Sequence, residues 1–569
     1  MRNVRGFVLV IFGALVANLA PQARTAQQPP SAADLVLTHG RIVTVEDAQP
    51  EAEAIAITGD RITALGSAAA MQKYVGPATK VLDLKGQLAI PGFIESHGHF
   101  TGVGEMKLVL DLTTAKSWDE IVTMVGAAAA KAAQGEWIRG RGWHQEKWTA
   151  RPEPAVEGFP THASLDRVSP ENPVVLTHAS GHATFVNGKA MALSGITRST
   201  ESPAGGDILR DASGDATGLL RETASELIKT PRLEGADREA YGRKVLQLAD
   251  REALSKGITT FEDAGSTLET IDLMKKVVDE GALGVRLWVM VRQRNEDIAS
   301  KLARYRMIDY GNGHLTVRGI KKVIDGALGS RGAWLLAPYT DKPDSTGLDT
   351  TPVAEIEQTA RLAIANGFQL CVHAIGDRGN RETLNIFERA FKANPSKKDL
   401  RWRVEHAQHL SAQDIPRFGR LGVIASMQGI HCTSDAPYVI ERLGARRAEE
   451  GAYVWQKLMK SGAVIANGTD APVEDVDPIA SYYASVSRKL KDGRVFYPDQ
   501  RMSRMEALKS YTINGAYAAF EETNRGSLKP GKYADLAVLS SDILNVPEDD
   551  IPAAKVVYTI VGGKVAYAR

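Results

Sequence analysis

Cysteine is nearly absent from this chain, with only Cys371 and Cys432 among 569 residues. So few cysteines exclude a small scaffold held together by disulfides. The sequence leaves open whether the two thiols pair in an oxidising compartment, although buried free thiols are the favoured interpretation.

An excess of charge of one sign is also missing. The chain has 69 Lys and Arg residues against 68 Asp and Glu residues, and it contains no basic run. This balance argues against a nucleic-acid-binding surface, so the expected partner is a small molecule, and a homo-oligomer stays open. The Gly-x-Ser-x-Gly motif is absent too, which argues against a serine hydrolase.

The apolar run at the N-terminus is too short for a comfortable membrane span. Arg2 and Arg5 precede an apolar segment over residues 7–17, a pattern typical of a secretory signal. We expect a signal peptide over 1–26, a Gln/Pro/Ser/Ala linker over 27–33, and export to the periplasm or beyond the cell. The mature chain should then have no stable membrane span, and the alternative is an uncleaved N-terminal anchor.

Short apolar segments separated by Gly, Asp and Pro occur at both ends of the chain. Such segments predict β-strands. We therefore expect one composite β-sandwich domain built from residues 34–90 and 526–569, around a middle part that spans 91–525.

The middle part alternates apolar strands with helical stretches, which favours an α/β fold, a (β/α)₈ TIM-like barrel. An excursion over about 101–254 has its own strands and a Gly/Asp-rich loop over 205–218, so it is interpreted as an insertion after barrel strand 1. The eight predicted barrel strands are Ala89–His97, Ile258–Asp263, Val285–Met290, Val317–Ile324, Phe368–His373, Trp402–His406, Val423–Met427 and Ala463–Asp470.

The most informative segment is Pro91–His99, an apolar strand that ends in two histidines one residue apart. Residues i and i+2 of a strand point to the same side, so His97 and His99 can reach one metal ion. A His-x-His pair at the carboxyl end of a barrel strand is where a hydrolytic metal would be held. Taken alone, a His-x-His pair is a chance or surface feature about as often as it is a metal site.

Four more candidate ligands lie near the ends of predicted strands: Lys321, His373, His406 and Asp470. Each has an ordinary alternative, because a single histidine is usually a hydrogen-bonded core residue and a lysine usually extends to solvent. Their shared position at the carboxyl ends of barrel strands makes coincidence the poorer explanation.

Imidazole and carboxylate suit one or two divalent ions, Zn²⁺ first. A cationic lysine would repel a metal, whereas a Lys321 carboxylated by CO₂ would be an anionic bridging ligand. Lys322 is the neighbouring candidate for that position. Metal coordination makes water a usable nucleophile near neutral pH.

With these motifs the sequence resembles the amidohydrolase superfamily, in its amidohydrolase-3 branch of YtcJ-like metal-dependent hydrolases and N-substituted formamide deformylases. The resemblance runs from about residue 34 to the end of the chain. It is carried by Pro91–His99, Arg139–Trp148, Ser180–Ala183, Val186–Asn187, Gly218–Glu222, Lys321, Asp325–Arg331, His373–Asp377, Arg403–Gln408, Gly468–Val473 and Gly526–Asp535. Glu95 departs from the branch, in which Asp is common before Ser-His.

The resemblance implies hydrolysis of a C–N bond in an amide, N-acyl or N-formyl compound. It implies one metal on His97, His99 and Asp470, a second on His373 and His406, and carboxylated Lys321 between them. A metal-activated hydroxide would attack the carbonyl carbon, with Asp470 as the catalytic proton shuttle. Alternatives are an ester, lactone or cyclic imide as substrate, or a non-catalytic exported binding protein.

Five further residues are candidates for contact with the substrate. His182 would donate a hydrogen bond to the substrate carbonyl or its anion, or else stabilise its own loop. Aromatic side chains bind apolar amides well, although packing under the insertion explains them equally. The predicted substrate-binding residues are His182, Trp143, His144, Trp334 and His431.

Overall fold

A computed structural model describes residues 1–2, 6–9, 31–231 and 233–569 of the chain. The predicted signal peptide, 1–26, and linker, 27–33, lie mostly outside the described residues. Within the part that is described, no helix is long and apolar enough to span a membrane.

The centre of the molecule is an eight-stranded parallel sheet that closes almost completely into a barrel, as the α/β prediction required. Its strands are nearly continuous apolar segments, which suits strands that are covered on both faces. We number them in chain order: β1 (Phe93–Gly98), β2 (Ile258–Ser266), β3 (Arg286–Val291), β4 (Leu315–Val323), β5 (Gln369–Ala374), β6 (Arg403–His406), β7 (Ile424–Gln428) and β8 (Ile465–Gly468).

Closure depends on backbone contacts between the first and the last strand. The Asp470 amide donates to the His97 carbonyl at 2.8 Å, and the His99 amide donates to the Ala471 carbonyl at 2.7 Å. A Cβ atom on Gly468 would lie 2.7 Å from the His97 backbone nitrogen, so only glycine lets β8 approach β1 this closely. The same contacts bring the ends of β1 and β8 together.

Helices cover the outside of the barrel and bury their apolar faces on it. A short strand, Met307–Asp309, pairs with β4. The helices are Gly235–Ser255, Leu268–Asp279, Asn295–Ile298, Leu302–Tyr305, Tyr310–Gly313, Val353–Asn366, Asp377–Ala393, Ile415–Leu421, Gly429–Leu443, Ala445–Gly451, Trp455–Lys460, Pro478–Ser487, Arg504–Ser510 and Ile513–Ala518.

Between β1 and β2 the chain leaves the barrel and forms a six-stranded sheet with its own core around Trp143, Phe185 and Leu219. The 205–218 segment, predicted as a loop, contains most of a hairpin formed by Gly206–Arg210 and Ala216–Glu222. The other strands are Leu110–Asp111, Ile138–Trp143, Val174–His178 and Ala183–Val186, with a separate Ala155–Val156 and Phe159–Pro160 pair; the helices are Phe100–Met106, Trp118–Ala129, Ala163–Val168 and Gly188–Ser194.

The two ends of the chain meet in another six-stranded sheet, in which Leu88–Pro91 pairs with Leu536–Leu539. The predicted strand Ala89–His97 is in fact two strands, because the chain passes from this sheet to β1 at Gly92, where a Cβ atom would collide with Thr259 at 2.2 Å. The remaining strands at the ends are Leu35–Thr38, Arg41–Val43, Glu51–Ala52, Ala54–Thr58, Arg61–Gly66, Lys80–Asp83, Val556–Val561 and Lys564–Ala568, with the helix Ala68–Met71.

Both cysteines are buried and free. Cys371 lies on β5, and Cys432 lies in the helix that follows β7. The favoured interpretation of the two thiols agrees with this arrangement.

Candidate metal centre

At the end of β1, His97 and His99 both face the carboxylate of Asp470. Their Nε2 atoms lie 3.4 and 3.2 Å from Oδ1 of Asp470. The His97 side chain is fully buried, whereas 28% of the His99 side chain is exposed. Burial lowers the pKa of His99 to about 4, so this imidazole is neutral at pH 7 and keeps a lone pair for a metal.

Asp470 lies two residues beyond β8, in a left-handed backbone conformation with φ of 58°. The loop is held by Glu95, whose carboxyl group accepts hydrogen bonds from the Thr469 amide at 2.6 Å and the Thr469 hydroxyl at 3.1 Å. Burial opposes ionisation of Asp470, but contacts with His97 and His99 outweigh it and hold the pKa of Asp470 well below its usual range. Asp470 is therefore an ionised, buried carboxylate.

His373 and His406 complete a group of imidazoles across the mouth of the barrel. The ring of His406 lies 4.4 Å from that of His373 and 4.6 Å from that of His97. Burial holds the pKa values of His373 and His406 well below their usual range, so both rings are neutral. Nδ1 of His406 donates to Oε1 of Gln428 at 2.7 Å, which directs its Nε2 lone pair elsewhere.

Strand alternation separates the two neighbouring lysines. Lys321 is buried, and its Nζ lies 3.5 Å from Nε2 of His97, whereas Lys322 points to the other side and pairs with Glu355 at 2.9 Å. Burial lowers the pKa of Lys321 to about 8. Only Lys321 is therefore placed to take part in the centre, and its amine is easier to deprotonate than a surface lysine.

A buried ionic network, which sequence reasoning largely missed, lies beneath His97. Glu405 accepts a hydrogen bond from Nδ1 of His97, and Arg403 donates to Oε1 of Glu405 at 2.7 Å. Arg403 also contacts Glu262, and all three charged side chains are fully buried. A carboxylate on the far nitrogen of a ligand histidine fixes the ring orientation and its tautomer. The sequence offered one signal for this network: two charged residues, Arg403 and Glu405, in an otherwise apolar strand.

The insertion places His182 opposite the barrel histidines. Nδ1 of His182 donates to Oε2 of Glu222 at 2.7 Å, and its ring lies 4.9 Å from that of His373. Burial lowers the pKa of His182, but the Glu222 carboxylate outweighs it, so the net shift is upward. His182 is therefore more readily protonated than the barrel histidines.

The cavity between the barrel and the insertion encloses about 40 Å³, close to the roughly 30 Å³ that one water occupies in the liquid. The insertion is tied to the barrel by a Lys147–Glu474 pair at 3.2 Å and an Arg442–Glu146 pair at 2.5 Å. The cavity is lined by, among others, His144, His178, His182, Ser330, His431 and Tyr438.

The predicted substrate residues divide into two groups. His144, His182 and His431 line the cavity. Trp143 does not: it is fully buried in the core of the insertion, and its Nε1 donates to the Leu176 carbonyl at 2.9 Å. Trp334 also lies away from the cavity wall, with its ring facing the Arg378 guanidinium at 4.7 Å. The structure therefore places both tryptophans in packing contacts, the alternative that the sequence left open.

The residues present fit a divalent metal. Ligand atoms of His97, His99 and Asp470 lie within 4.8 Å of one another, as do those of His406, His431 and Asp470. Nε2 of His373, Nε2 of His431 and Oδ1 of Asp470 are buried without a hydrogen-bond partner among the described residues. Unpaired buried donors and acceptors are costly unless a ligand satisfies them, and this donor set suits Zn²⁺ and similar ions.

A family model described as the amidohydrolase family matches residues 80–567. The chain belongs to the amidohydrolase family. The resemblance predicted from the sequence is thereby confirmed.

Three relatives match nearly the whole chain. The protein LONG AFTER FAR-RED 3 of Arabidopsis thaliana is 34% identical, over 94% of this chain and 92% of its own length. The putative amidohydrolase YtcJ of Bacillus subtilis is 31% identical, over 93% and 98%. The N-substituted formamide deformylase of Arthrobacter pascens is 26% identical, over 94% and 98%.

A solved structure extends the likeness to three dimensions. An uncharacterised metal-dependent hydrolase from Pyrococcus horikoshii OT3 aligns with a TM-score of 0.72 and 25% identity, over 90% of this chain and 99% of its own. Together with the family match, this likeness makes the chain a metal-dependent hydrolase of the amidohydrolase family.

Proposed function

We propose that this protein hydrolyses the C–N bond of an amide, N-acyl or N-formyl group in a small molecule. The observation that carries the proposal is the position of Asp470, an ionised buried carboxylate whose Oδ1 faces His97 and His99. A carboxylate in this position can both hold a metal and accept a proton from water.

His97, His99 and Asp470 would hold one divalent ion, and His373 and His406 would hold another, with Zn²⁺ as the first candidate. When bound, such an ion lowers the pKa of a coordinated water and polarises a carbonyl oxygen. The protein's share is to present neutral imidazoles, which the low pKa values of His99, His373 and His406 ensure.

Asp470 would accept the proton of the attacking water and deliver it to the leaving nitrogen. His182 would donate a hydrogen bond from Nε2 to the carbonyl oxygen as negative charge develops there, because its Nδ1 proton is already engaged by Glu222. Preorganised donors of this kind stabilise an oxyanion most where bulk water is excluded.

Support for a C–N bond rather than another acyl bond comes from a relative that is named a formamide deformylase. An amine leaves poorly without a proton, so a shuttle such as Asp470 matters more for an amide than for an ester. An ester, a lactone or a cyclic imide on the same site is the alternative. The sequence relation to LONG AFTER FAR-RED 3, whose name states no reaction, keeps a non-catalytic role as an outcome of the test.

The decisive experiment combines metal analysis with a substrate panel. The purified full chain is assayed as isolated, after chelation and after restoration with Zn²⁺, against N-formyl amides, N-acyl amides, carboxylic esters, lactones and cyclic imides. We expect metal-dependent cleavage that is fastest for one of the amide classes. Preference for an ester, lactone or imide contradicts the C–N assignment, and absence of any metal-dependent turnover contradicts hydrolysis.

We also propose that Lys321 is carboxylated and lies between the two ions. The supporting observations are its burial, its lowered pKa and its 3.5 Å approach to His97. With ¹³C-labelled bicarbonate, the loaded protein should show a carbamate ¹³C signal that Lys321→Gln removes and the matched Lys322→Gln retains. A signal that survives in Lys321→Gln contradicts the assignment.

Export and the composite domain are further proposals. A signal peptide over 1–26 would lead to a periplasmic or extracellular chain, and sequencing of the N-terminus after expression in a bacterial host tests it. Residues 34–90 and 526–569 would form a separate β-sandwich, supported by a shared core of Leu37, Ile57, Leu536 and Ile560. Limited proteolysis that leaves both chain ends associated would agree, whereas separate loss of one end would not.

A further inference from the structure

His431 lines the cavity next to Asp470, and only 5% of the residue is exposed. It lies in the first turn of the helix that follows β7, and its ring is nearly parallel to that of His406, at 11° and a centroid distance of 6.2 Å. Its Nε2 lies 3.9 Å from Oδ2 of Asp470, whereas His97 and His99 face Oδ1. His431 therefore faces the carboxylate oxygen that is not directed at the other two histidines.

Gln408 determines which nitrogen of His431 carries the hydrogen. Nε2 of Gln408 lies 2.9 Å from Nδ1 of His431, and both side chains are buried. An amide nitrogen can only donate, so Nδ1 accepts this hydrogen bond and the ring hydrogen is on Nε2. The chain brings Gln408 to this position by turning at the end of β6, where His406 and Ala407 have left-handed backbone conformations with φ of 76° and 45°. His431 is thus presented as a hydrogen-bond donor.

The Nε2 hydrogen of His431 has no acceptor among the residues that the structure describes. Oδ2 of Asp470, at 3.9 Å, is beyond hydrogen-bond distance. Asp435, a carboxylate that also lines the cavity, accepts hydrogen bonds from the hydroxyls of Tyr438 and Tyr453, one on each oxygen. A buried donor without an acceptor is costly unless a ligand supplies one.

The gap between His431 and Asp470 has the size of one bridging atom. An oxygen about 2.8 Å from each of the two groups makes ordinary hydrogen bonds to both of them. Such an oxygen accepts the hydrogen of Nε2 and donates a hydrogen of its own to Oδ2. Water meets this requirement, since it both donates and accepts, and the cavity of about 40 Å³ has room for one molecule.

We propose that His431 and its positioning residue Gln408 orient the attacking water against Asp470. This inference rests on the proposed function, since it assigns the water-binding part of the same site. Nε2 of His431 donates to the water oxygen, and the water donates to Oδ2 of Asp470, which leaves a lone pair of the oxygen for the carbonyl carbon. The O–C bond forms as the water proton passes to Asp470, which gives it to the leaving nitrogen as the C–N bond breaks. The water oxygen remains in the acid product, so His431 also faces the product carboxyl group.

Metal ligation is the rival role for His431. Ligand atoms of His406, His431 and Asp470 lie within 4.8 Å of one another, a spacing that also suits an ion. A ligand nitrogen must offer a lone pair, whereas the contact with Gln408 places a hydrogen on Nε2. Orientation of water is therefore the preferred assignment, and the two roles differ in what substitution of His431 does to the metal content.

The first experiment measures the tautomer of His431 by NMR on the Zn²⁺-loaded full chain with ¹⁵N-labelled histidine. The ring signals that disappear in His431→Gln assign the residue. We expect the Nε2–H form in the wild type and the Nδ1–H form in Gln408→Glu, because a carboxylate accepts a hydrogen bond where the amide donated one. Gln145→Glu is the matched control, since Gln145 already accepts from Nε2 of His178 at 3.1 Å and a carboxylate preserves that contact.

Kinetics on the best substrate of the panel separate orientation of water from substrate binding. We expect His431→Ala to lower kcat about 10²-fold, with little change in KM and with the metal content of the wild type. His431→Gln should recover part of kcat, because its side-chain amide can donate near the position of Nε2. Gln408→Glu should lower kcat about 10-fold or more, and Gln145→Glu should leave it unchanged.

Titration with formate and acetate, which carry the carboxyl group of the simplest acid products, gives a readout that does not need turnover. We expect their binding to shift the Nε2–H signal of His431. A shifted signal without cleavage of any compound in the panel would support the oriented donor and refute the proposed hydrolysis. Loss of metal in His431→Ala, an Nδ1–H tautomer in the wild type, full activity of His431→Ala, or acids that leave the Nε2–H signal unchanged would each overturn the proposal.

Discussion

The histidines on the two sides of the cavity differ in charge. On the barrel side, burial keeps His99, His373 and His406 neutral. On the insertion side, His182 is paired with Glu222 and its pKa is raised. One residue type therefore serves two purposes: neutral imidazole presents a lone pair to a metal, and protonated imidazole presents a hydrogen to an oxygen.

The two sides differ in whether burial or a carboxylate dominates: for His99, His373 and His406 burial outweighs the Asp470 carboxylate, whereas for His182 the carboxylate outweighs burial. His182 has Glu222 on its Nδ1 at 2.7 Å, which favours the charged ring despite burial. Burial lowers the pKa values of His373 and His406, and the positive charge of Lys321 adds to this effect. The barrel is thus prepared for a cation and the insertion for an anion.

The largest effect is expected for Asp470→Asn, which removes both a metal ligand and the proton acceptor. We expect kcat to fall about 10³- to 10⁴-fold, because an amide accepts no proton and the leaving nitrogen gets none. Steady-state kinetics, metal content and thermal unfolding are measured together. Asp475→Asn, on the same loop but paired with Lys256 at 2.9 Å, is the control and should retain full activity.

Wild-type kinetics in Asp470→Asn would rule out the assigned shuttle. Loss of activity with loss of metal would show ligation without separating it from proton transfer. The pH profile then separates them, since the shuttle alone changes the acid limb of kcat/KM.

A smaller effect, about 10²-fold in kcat, is expected for His182→Ala, because one oxyanion donor is lost. Glu222→Gln removes the charge that raises the pKa of His182, so the alkaline fall in activity should move to lower pH. His162→Ala is the matched control, since His162 pairs with Asp166 at 2.6 Å in the same insertion. If the alkaline fall in activity stays at the same pH in Glu222→Gln, a protonated His182 is not what distinguishes the insertion side from the barrel side.

Glu405→Gln should act through His97 rather than on the substrate. We expect about 10- to 100-fold weaker metal binding, since the hydrogen bond that orients His97 loses its charge. Competition with a chelator of known affinity measures it, and saturating metal should restore most of kcat. Loss of kcat that excess metal does not restore would show that Glu405 does more than position His97.

The smallest effect on catalysis is expected at Trp143, whose ring packs behind the cavity wall against His178 at 4.6 Å. Trp143→Ala should lower the free energy of unfolding by about 3–5 kcal/mol, as large buried truncations do. Trp143→Phe, measured on folded protein, should keep KM within about twofold. A large rise in KM for Trp143→Phe would indicate that Trp143 contacts the substrate.

Much of the fold and of the candidate centre could be predicted from short segments of the sequence. All eight barrel strands were predicted to within a few residues, since parallel barrel strands are continuous apolar segments between helices. The candidate ligands could be proposed because ligands in this architecture lie at strand ends; they are His97, His99, Lys321, His373, His406 and Asp470. The sequence could not decide between packing and substrate contact for Trp143 and Trp334, because an aromatic residue near a site motif has the same pattern in both cases.

What the sequence by itself determined is the order of strands and helices and the identity of the proposed ligands, because both follow from periodicity and position along one segment. Only the tertiary structure decided which charges meet. The Arg403 network under His97 and the Glu222 partner of His182 join residues from distant segments. Burial and neighbouring charge are properties of the folded surroundings, so no reading of one segment contains them.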